Sequence, residues 1–186
     1  MGNIIDTIGN TPLVEITSFH QNPKVKIYAK LEGNNPAGSV KDRPALNMIR
    51  SAIERGDIKK GDKLIEATSG NTGIALAMIA SMYGMELELV MPSSSTRERT
   101  LTMEAFGAQV TLLDNMEVCR DYAEEKAEKD GIYILNQFAN PDNYEAHIKT
   151  TGPEIWRDTE GQITHFVSAM GTTGTIMGTS IFLKEK

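Results

Sequence analysis

The sequence contains little of what several common classes of protein require. Cys119 is the only cysteine among 186 residues, so no disulfide can form within the chain, and we expect the protein in the cytoplasm. The formal net charge of −6 argues against nucleic acid as the main partner, because phosphate binding needs a basic surface. The longest apolar run, residues 74–82, is too short for a membrane span, and the N-terminus lacks the basic start of a secretory signal. The histidines show no metal-ligand spacing, so we assign no metal site and expect small-molecule partners.

Short runs rich in β-branched residues alternate with helical patterns along the chain. The predicted strands are residues 25–30, 63–67, 86–91, 108–113, 132–135 and 163–168. After Lys41, apolar residues recur every three or four positions, and Gly56 is placed to end that helix. Residues 73–84 carry no charge, which predicts a helix buried on all sides. This alternation predicts an α/β fold built on a parallel sheet.

The loop "TSGNTG", residues 68–73, lies between the predicted strand 63–67 and the buried helix. Open α/β sheets bind ligands at the carboxyl ends of their strands, where this loop stands. Its hydroxyl and amide side chains are Thr68, Ser69, Asn71 and Thr72. The helix N-terminus adds partial positive charge, so the loop suits a carboxylate or a phosphate. The alternative is an ordinary helix cap, which needs one such residue rather than four.

A second loop, "GTTGT", lies between the predicted strand 163–168 and a helix. It consists of Gly171, Thr172, Thr173, Gly174 and Thr175. It has neither the GxGxxG spacing of a dinucleotide fold nor the lysine of a P-loop. Hydroxyls and backbone N–H groups at a helix N-terminus can hold a phosphate without a cation, which is typical of a cofactor that stays bound. The pattern alone is weak, because turns of glycine and threonine are common.

Lys41 lies in the stretch "GNNPAGSVKDRP", residues 33–44. A P-loop would place its lysine directly after Gly38, so a nucleotide-binding P-loop is the weakest interpretation. A helix N-terminus and burial both lower the pKa of an ammonium, and a neutral amine can form a Schiff base. The alternative is a surface lysine paired with Asp42. A lysine amine, a phosphate loop and a carboxylate loop together are what pyridoxal phosphate and an amino acid require.

Longer stretches of the sequence carry a resemblance to a known family. They are "TIGNTPLVEI", "KLEGNNPAGSVKDRPA", "EATSGNTGIALAMIA", "NQFANPDN", "TTGPEIW" and "HFVSAMGTTGTIMG". In this order, and over essentially the whole chain, they resemble the cysteine synthases (O-acetylserine sulfhydrylases), which are fold-type II pyridoxal phosphate enzymes. The residues around Lys41 and Gly171 resemble those of the B form, which is associated with thiosulfate as well as sulfide as sulfur donor.

The resemblance implies two parallel-sheet domains with the cofactor between them. Residues 35–145 would form the smaller, mobile domain, which carries Lys41 and the carboxylate loop. Residues 13–34 and 146–186 would belong to the larger domain, which binds the cofactor phosphate. The family continues well beyond residue 186, so we expect this larger domain to be incomplete and to lack the residue that faces the pyridine nitrogen. Tyr144 also departs from the family, which usually has proline there.

The resemblance further implies a role for each matching residue. Lys41 would carry pyridoxal phosphate as a Schiff base and act as the general base at the substrate Cα. The residues that bind the substrate carboxylate would be Thr68, Ser69, Asn71, Thr72 and Gln137, with Asn71 also near the cofactor. Residues 171–175 would bind the cofactor phosphate.

The implied reaction is a β-replacement in a homodimer. It would make L-cysteine from O-acetyl-L-serine and sulfide, or S-sulfocysteine from thiosulfate, through an aminoacrylate intermediate. Two alternatives stay open. One is an inactive truncated fragment of such an enzyme. The other is a different fold-type II enzyme, of the cystathionine β-synthase or serine/threonine dehydratase type.

Overall fold

The computed structural model describes residues 2–19, 21–68 and 70–186. In this part of the chain the strands are β1 (Leu13–Glu15), β2 (Tyr28–Lys30), β3 (Lys63–Ala67), β4 (Glu86–Pro92), β5 (Gln109–Leu113) and β6 (Tyr133–Ile134). The α-helices are α1 (Asp42–Arg55), α2 (Asn71–Met82), α3 (Arg97–Ala105), α4 (Met116–Asp130), α5 (Pro141–Lys149), α6 (Thr151–Asp158) and α7 (Gly174–Lys184). Short 3-10 turns cover Ile4–Thr7, Thr17–Phe19 and Glu32–Asn34. None of these helices combines the length and the apolar content needed to cross a bilayer.

A parallel sheet of strand order β5-β4-β3-β6 organises the middle of the chain. Each strand pairs with its neighbours in parallel, with Leu64 opposite Leu87 on one side and opposite Tyr133 on the other. β1 and β2 form a separate antiparallel ribbon. The α/β class predicted from the sequence is therefore confirmed.

The two faces of the sheet bury different clusters, because side chains alternate along a strand. Leu64 of β3 belongs to the cluster formed with α1, α2 and α3, and its neighbour Ile65 belongs to the cluster formed with α4. Cys119 is fully buried in the second cluster. The uncharged segment predicted to be a buried helix is α2, in which every residue from Ala75 to Ala80 is buried. Gly56 ends α1 in the left-handed conformation, as its position predicted.

One predicted element is wrong. Residues 163–168 were expected to form a strand, but the chain is irregular from 162 to 170, and His165 is exposed. A strand exists only where a neighbour satisfies its backbone hydrogen bonds, and within the described residues this segment pairs with no other strand. Its apolar side chains remain uncovered, with Val167 at 91% and Met170 at 75% exposure. The division of the chain into residues 35–145 and the flanking segments stays a prediction.

Candidate functional site

The loop after β3 and the loop after β6 lie side by side at the carboxyl edge of the sheet. They must do so because β3 and β6 are parallel neighbours. The contact is direct, since the side-chain amide of Gln137 donates a hydrogen bond of 3.3 Å to the carbonyl of Ala67. The fold thus brings together Gln137 and the loop 68–72, which are about seventy residues apart in sequence.

Within the loop 68–72, Thr68 and Thr72 are nearly buried, at 4% and 6% exposure, and Asn71 is exposed at the start of α2. The Thr68 N–H donates to the carbonyl of Val90 on β4, which fixes the loop to the sheet. Position 73 has no room for a side chain, because a Cβ on Gly73 would stand 2.7 Å from both Thr68 and Met103. Ser69, the remaining predicted member of this loop, lies outside the described residues.

Lys41 stands immediately before the first residue of α1, at the N-cap position. Its side chain is half-buried, and burial lowers the pKa of the amine. The partial positive charge of the helix N-terminus acts in the same direction. The next residue, Asp42, is fully buried and accepts a hydrogen bond of 2.6 Å from the Ala37 N–H, which closes the turn that presents Lys41. Burial raises the pKa of Asp42 to about 6, although the backbone hydrogen bonds to its carboxylate act against this.

The loop 171–175 leads into α7, whose first residue is Gly174. Thr173 takes a left-handed backbone conformation (φ 65°), which is uncommon for a residue with a Cβ. The first turn of any α-helix leaves N–H groups without intrahelical partners, so this turn offers donors to an anion. The threonine hydroxyls of the loop add further neutral donors.

Asn143 links the two halves of the site, and inspection of the sequence had missed it. Its side-chain amide donates to the Gln137 carbonyl (2.7 Å) and to the Thr172 hydroxyl (3.1 Å). Asn143 lies in the first turn of α5, which begins with Pro141 capped by Asn140. In the sequence, Asn143 ends the stretch "NQFANPDN", and the spacing of four places Asn143 and His147 on one face of α5.

His147 holds the other end of the same loop. The ring is 1% exposed, with Nδ1 2.8 Å from the Thr151 hydroxyl and Nε2 3.3 Å from the Thr175 hydroxyl. Burial, together with the positive charges of Arg43 and Lys41, lowers the pKa of His147 to about 4. Of the two positive charges, Arg43 contributes more to this lowering than Lys41 does.

A buried ionic network fixes the start of α1 two residues after Lys41. Arg43, whose side chain is 1% exposed, makes paired hydrogen bonds of 2.7–2.8 Å to Glu154 and of 2.7 Å to Glu32. Lys30 adds a 2.7 Å ion pair to Glu154. Burial alone would raise the pKa of Glu154, but the hydrogen bonds from Arg43 and Lys30 lower it to about 2. The network connects α1, α6 and β2, so Lys41 is presented by a rigid support.

Glu66, on β3, fixes the backbone position of Gln137. Its carboxylate accepts hydrogen bonds from the backbone N–H groups of Asn136 (2.8 Å) and Gln137 (3.1 Å). Asn136 has a left-handed backbone (φ 53°), a conformation that asparagine adopts more readily than most residues with a Cβ, and the carboxylate stabilises this turn. Glu66 is 2% exposed, and burial raises its pKa to about 7.

The chemistry of this set of donors fits pyridoxal phosphate. The loop 171–175 offers neutral donors at a helix N-terminus to a phosphate, and Lys41 offers an amine of lowered pKa to an aldehyde. The loop 68–72 and Gln137 offer hydroxyl and amide groups to a carboxylate. Among the described residues, no group of histidine, cysteine and acidic side chains is arranged to bind a metal ion.

Comparison with known proteins agrees with this geometry. The model of one family, described as pyridoxal-phosphate dependent enzyme, matches residues 4–186. The chain is 56% identical over 189 residues to cysteine synthase B of Salmonella typhimurium, and the match covers all of this chain and 62% of that protein. The chain therefore spans less than two thirds of the length of this curated relative.

Two solved structures superpose closely on the chain. The crystal structure of O-ureido-L-serine synthase has a TM-score of 0.95 at 39% identity, and the match covers 100% of this chain and 60% of that one. The cysteine synthase of Entamoeba histolytica has a TM-score of 0.94 at 41% identity, with 100% and 57% covered. Both similarities extend over the loops described above.

Proposed function

The chain belongs to the family of pyridoxal-phosphate dependent enzymes, and from this premise we propose that it serves a cysteine synthase reaction. The reaction is a β-replacement that makes L-cysteine from O-acetyl-L-serine and sulfide, with thiosulfate as a second sulfur donor that gives S-sulfocysteine. One observation carries the proposal: Gln137 and Asn143 join the two loops predicted to bind anions. The lowered pKa of the Lys41 amine supports it. The similarity to cysteine synthase B supports the choice of substrates.

Pyridoxal phosphate, when bound, supplies an electron sink for a carbanion at the substrate Cα. We assign the cofactor phosphate to residues 171–175, where the N-terminus of α7 and three threonine hydroxyls provide the donors. Lys41 Nζ holds the aldehyde and, once released, takes the Cα proton and later returns it. The lowered pKa favours this role, because a base must be unprotonated to accept a proton.

The loop 68–72 and Gln137 orient the amino acid by its carboxylate. Thr68 and Thr72 are nearly buried, so their hydroxyls have fixed positions and bind with little loss of side-chain entropy. Asn71, exposed at the start of α2, is free to meet the ligand from the solvent side. Ser69 keeps the same predicted role.

Two features of the proposal stay predictions. Assembly as a homodimer rests on the resemblance, and location in the cytoplasm rests on the single cysteine. The shorter length relative to cysteine synthase B keeps an inactive fragment as the second candidate, because the relative has residues that this chain does not match.

The experiment that tests the proposal is reductive trapping of the cofactor. The 186-residue chain is incubated with pyridoxal phosphate, reduced with borohydride and digested, and the modified peptide is identified by mass spectrometry. We expect one dominant modification, at Lys41, which is lost in Lys41→Ala. Lys63→Ala is the matched control, because Lys63 is an exposed lysine paired only with exposed Glu86.

Uniform modification of surface lysines, with Lys41 no more reactive than Lys63, would contradict the assigned site. The substrate is tested separately, by following cysteine and S-sulfocysteine after addition of O-acetylserine with sulfide or thiosulfate. A chain that is trapped at Lys41 but forms neither product would support the inactive fragment.

A further inference from the structure

Asn143 occupies a junction between the two loops that the proposed function assigns to different groups. It is 5% exposed, and both hydrogens of its side-chain amide are used, one on the Gln137 carbonyl and one on the Thr172 hydroxyl. The two partners belong to the substrate side and the phosphate side of the site. A single planar amide thus sets the distance between them.

The position of Asn143 against the loop 171–175 is closely constrained. A Cβ at Gly174 would stand 2.1 Å from Asn143 Oδ1, so the loop passes the amide at a distance that only glycine permits. A Cβ at Gly178 would likewise stand 2.0 Å from the carbonyl of Tyr144, so α5 and α7 touch through their backbones. The loop therefore packs directly against the Asn143 amide, with no side chain between them.

The hydrogen bond from Asn143 has a chemical consequence for Thr172. A hydroxyl has one hydrogen to donate and can accept at its lone pairs. Because Asn143 donates to Thr172 Oγ1, the hydroxyl hydrogen of Thr172 must point elsewhere. Thr172 is only half-buried, so this hydrogen is available to an anion in the loop.

We propose that Asn143 is a positioning residue that orients the Thr172 hydroxyl to donate to the cofactor phosphate and holds that loop in register with Gln137. This inference rests on the proposed function, because it takes residues 171–175 as the phosphate site. Asn143 itself contacts neither ligand. Asn143 acts through the Thr172 hydroxyl. It therefore affects binding of the cofactor phosphate and not of the aldehyde.

The test compares pyridoxal phosphate with pyridoxal, which has the same aldehyde and no phosphate. Binding of each to the 186-residue chain is measured by equilibrium dialysis for the wild type and for Asn143→Leu, which has a similar shape and no donor. We expect Asn143→Leu to weaken binding of pyridoxal phosphate about tenfold, as for the loss of one hydrogen bond to a charged group, and to change binding of pyridoxal less than about twofold. Thr172→Ser is the matched control, since it keeps the hydroxyl that accepts from Asn143.

A second comparison separates this mechanism from simple loss of packing. In Thr172→Val the hydroxyl is absent, so adding Asn143→Leu should cause no further loss of phosphate-dependent affinity. An equal loss of both ligands in Asn143→Leu, or an undiminished effect in the Thr172→Val background, would overturn the inference. If the wild type itself bound the two ligands equally, the phosphate site would be wrong, and the proposed function would fail together with the inference.

The inference can also be checked without altering Asn143. In the wild-type chain, the side-chain amide signal of Asn143 in ¹⁵N NMR should shift on addition of pyridoxal phosphate and stay in place with pyridoxal. It is assigned as the side-chain amide signal that moves in the unliganded Thr172→Val variant. A signal that responds equally to both ligands would contradict the role assigned to Asn143.

Discussion

Replacing Arg43 by methionine should destabilise the fold strongly, because Arg43 is the centre of a buried ionic network. Its guanidinium is 1% exposed and forms hydrogen bonds of 2.7–2.8 Å to both Glu32 and Glu154. Methionine replaces the apolar stem of arginine and lacks the guanidinium, so the loss reports mainly on the ionic network. The substitution leaves two carboxylates in a region with little water.

The expected loss follows from what remains after the substitution. Removing one partner of a buried ion pair costs about 3–5 kcal/mol, since the other charge stays buried and uncompensated. Glu154 keeps its ion pair with Lys30 at 2.7 Å, so we expect the lower end, about 3 kcal/mol. The measurement is urea-induced unfolding followed by circular dichroism at pH 7.

Arg55→Met is the matched control on the same helix. Arg55 also makes two ion pairs, with Asp57 and Asp142. Its side chain is 46% exposed, so water screens its charge even though the Asp142 side chain is 6% exposed. We expect a small change in the unfolding midpoint compared with Arg43→Met. Adding Glu32→Gln to Arg43→Met should recover part of the loss, because Glu32 is the carboxylate that loses its cation while Glu154 keeps Lys30. If Arg43→Met and Arg55→Met were equally stable, the network would not hold α1 and α6 together as described.

The remaining predictions concern the pH dependence of stability and the room for a side chain at two glycines. Glu66 has a folded pKa of about 7, above the ordinary 4.5, so its protonation favours folding at low pH. This contribution to the free energy of unfolding is lost as the pH rises from about 4.5 through 7. In urea unfolding, Glu66→Gln should abolish that loss, which is about 3 kcal/mol between pH 5 and pH 8. His147, with its pKa lowered to about 4, acts in the opposite direction, and stability should fall as the pH drops from 6.5 to 4 in the wild type but not in His147→Gln. Gly174→Ala should cost about 1–3 kcal/mol through its clash with Asn143, whereas Gly171→Ala, with no atom within 4 Å of the new Cβ, should leave the unfolding midpoint unchanged. A midpoint equally lowered in both glycine variants would refute the close approach of Asn143.

Much of the scaffold could be predicted from local sequence. The strand 63–67 was predicted with the bounds that the structure shows, because its apolar and β-branched residues suit a buried strand and charged or turn residues flank it. The helix after Lys41 was predicted from its apolar spacing and from Gly56. The composition of the two loops also indicated anion binding, since hydroxyls and glycines before a helix are recognisable without any tertiary contact. The roles of Lys41 in catalysis and of Gln137 in binding the substrate carboxylate remain predictions.

The supporting residues could not be found in this way, because each acts across a large separation in sequence. Asn143 reaches Thr172 over 29 residues, Glu66 reaches Gln137 over 71 and Arg43 reaches Glu154 over 111. No local pattern marks a polar side chain as buried and paired when its partner is so far along the chain.

In the segment 163–168, the local sequence predicted an element that the fold does not form. Its residues favour a strand, but strand formation depends on a hydrogen-bonded neighbour, and within the described residues none lies beside it. The amino-acid sequence by itself therefore determined which segments can be helices, strands and anion-binding loops, since these depend on residues near one another in the chain. Tertiary structure decided which strands pair and which polar groups are buried together, since these depend on contacts that only folding creates.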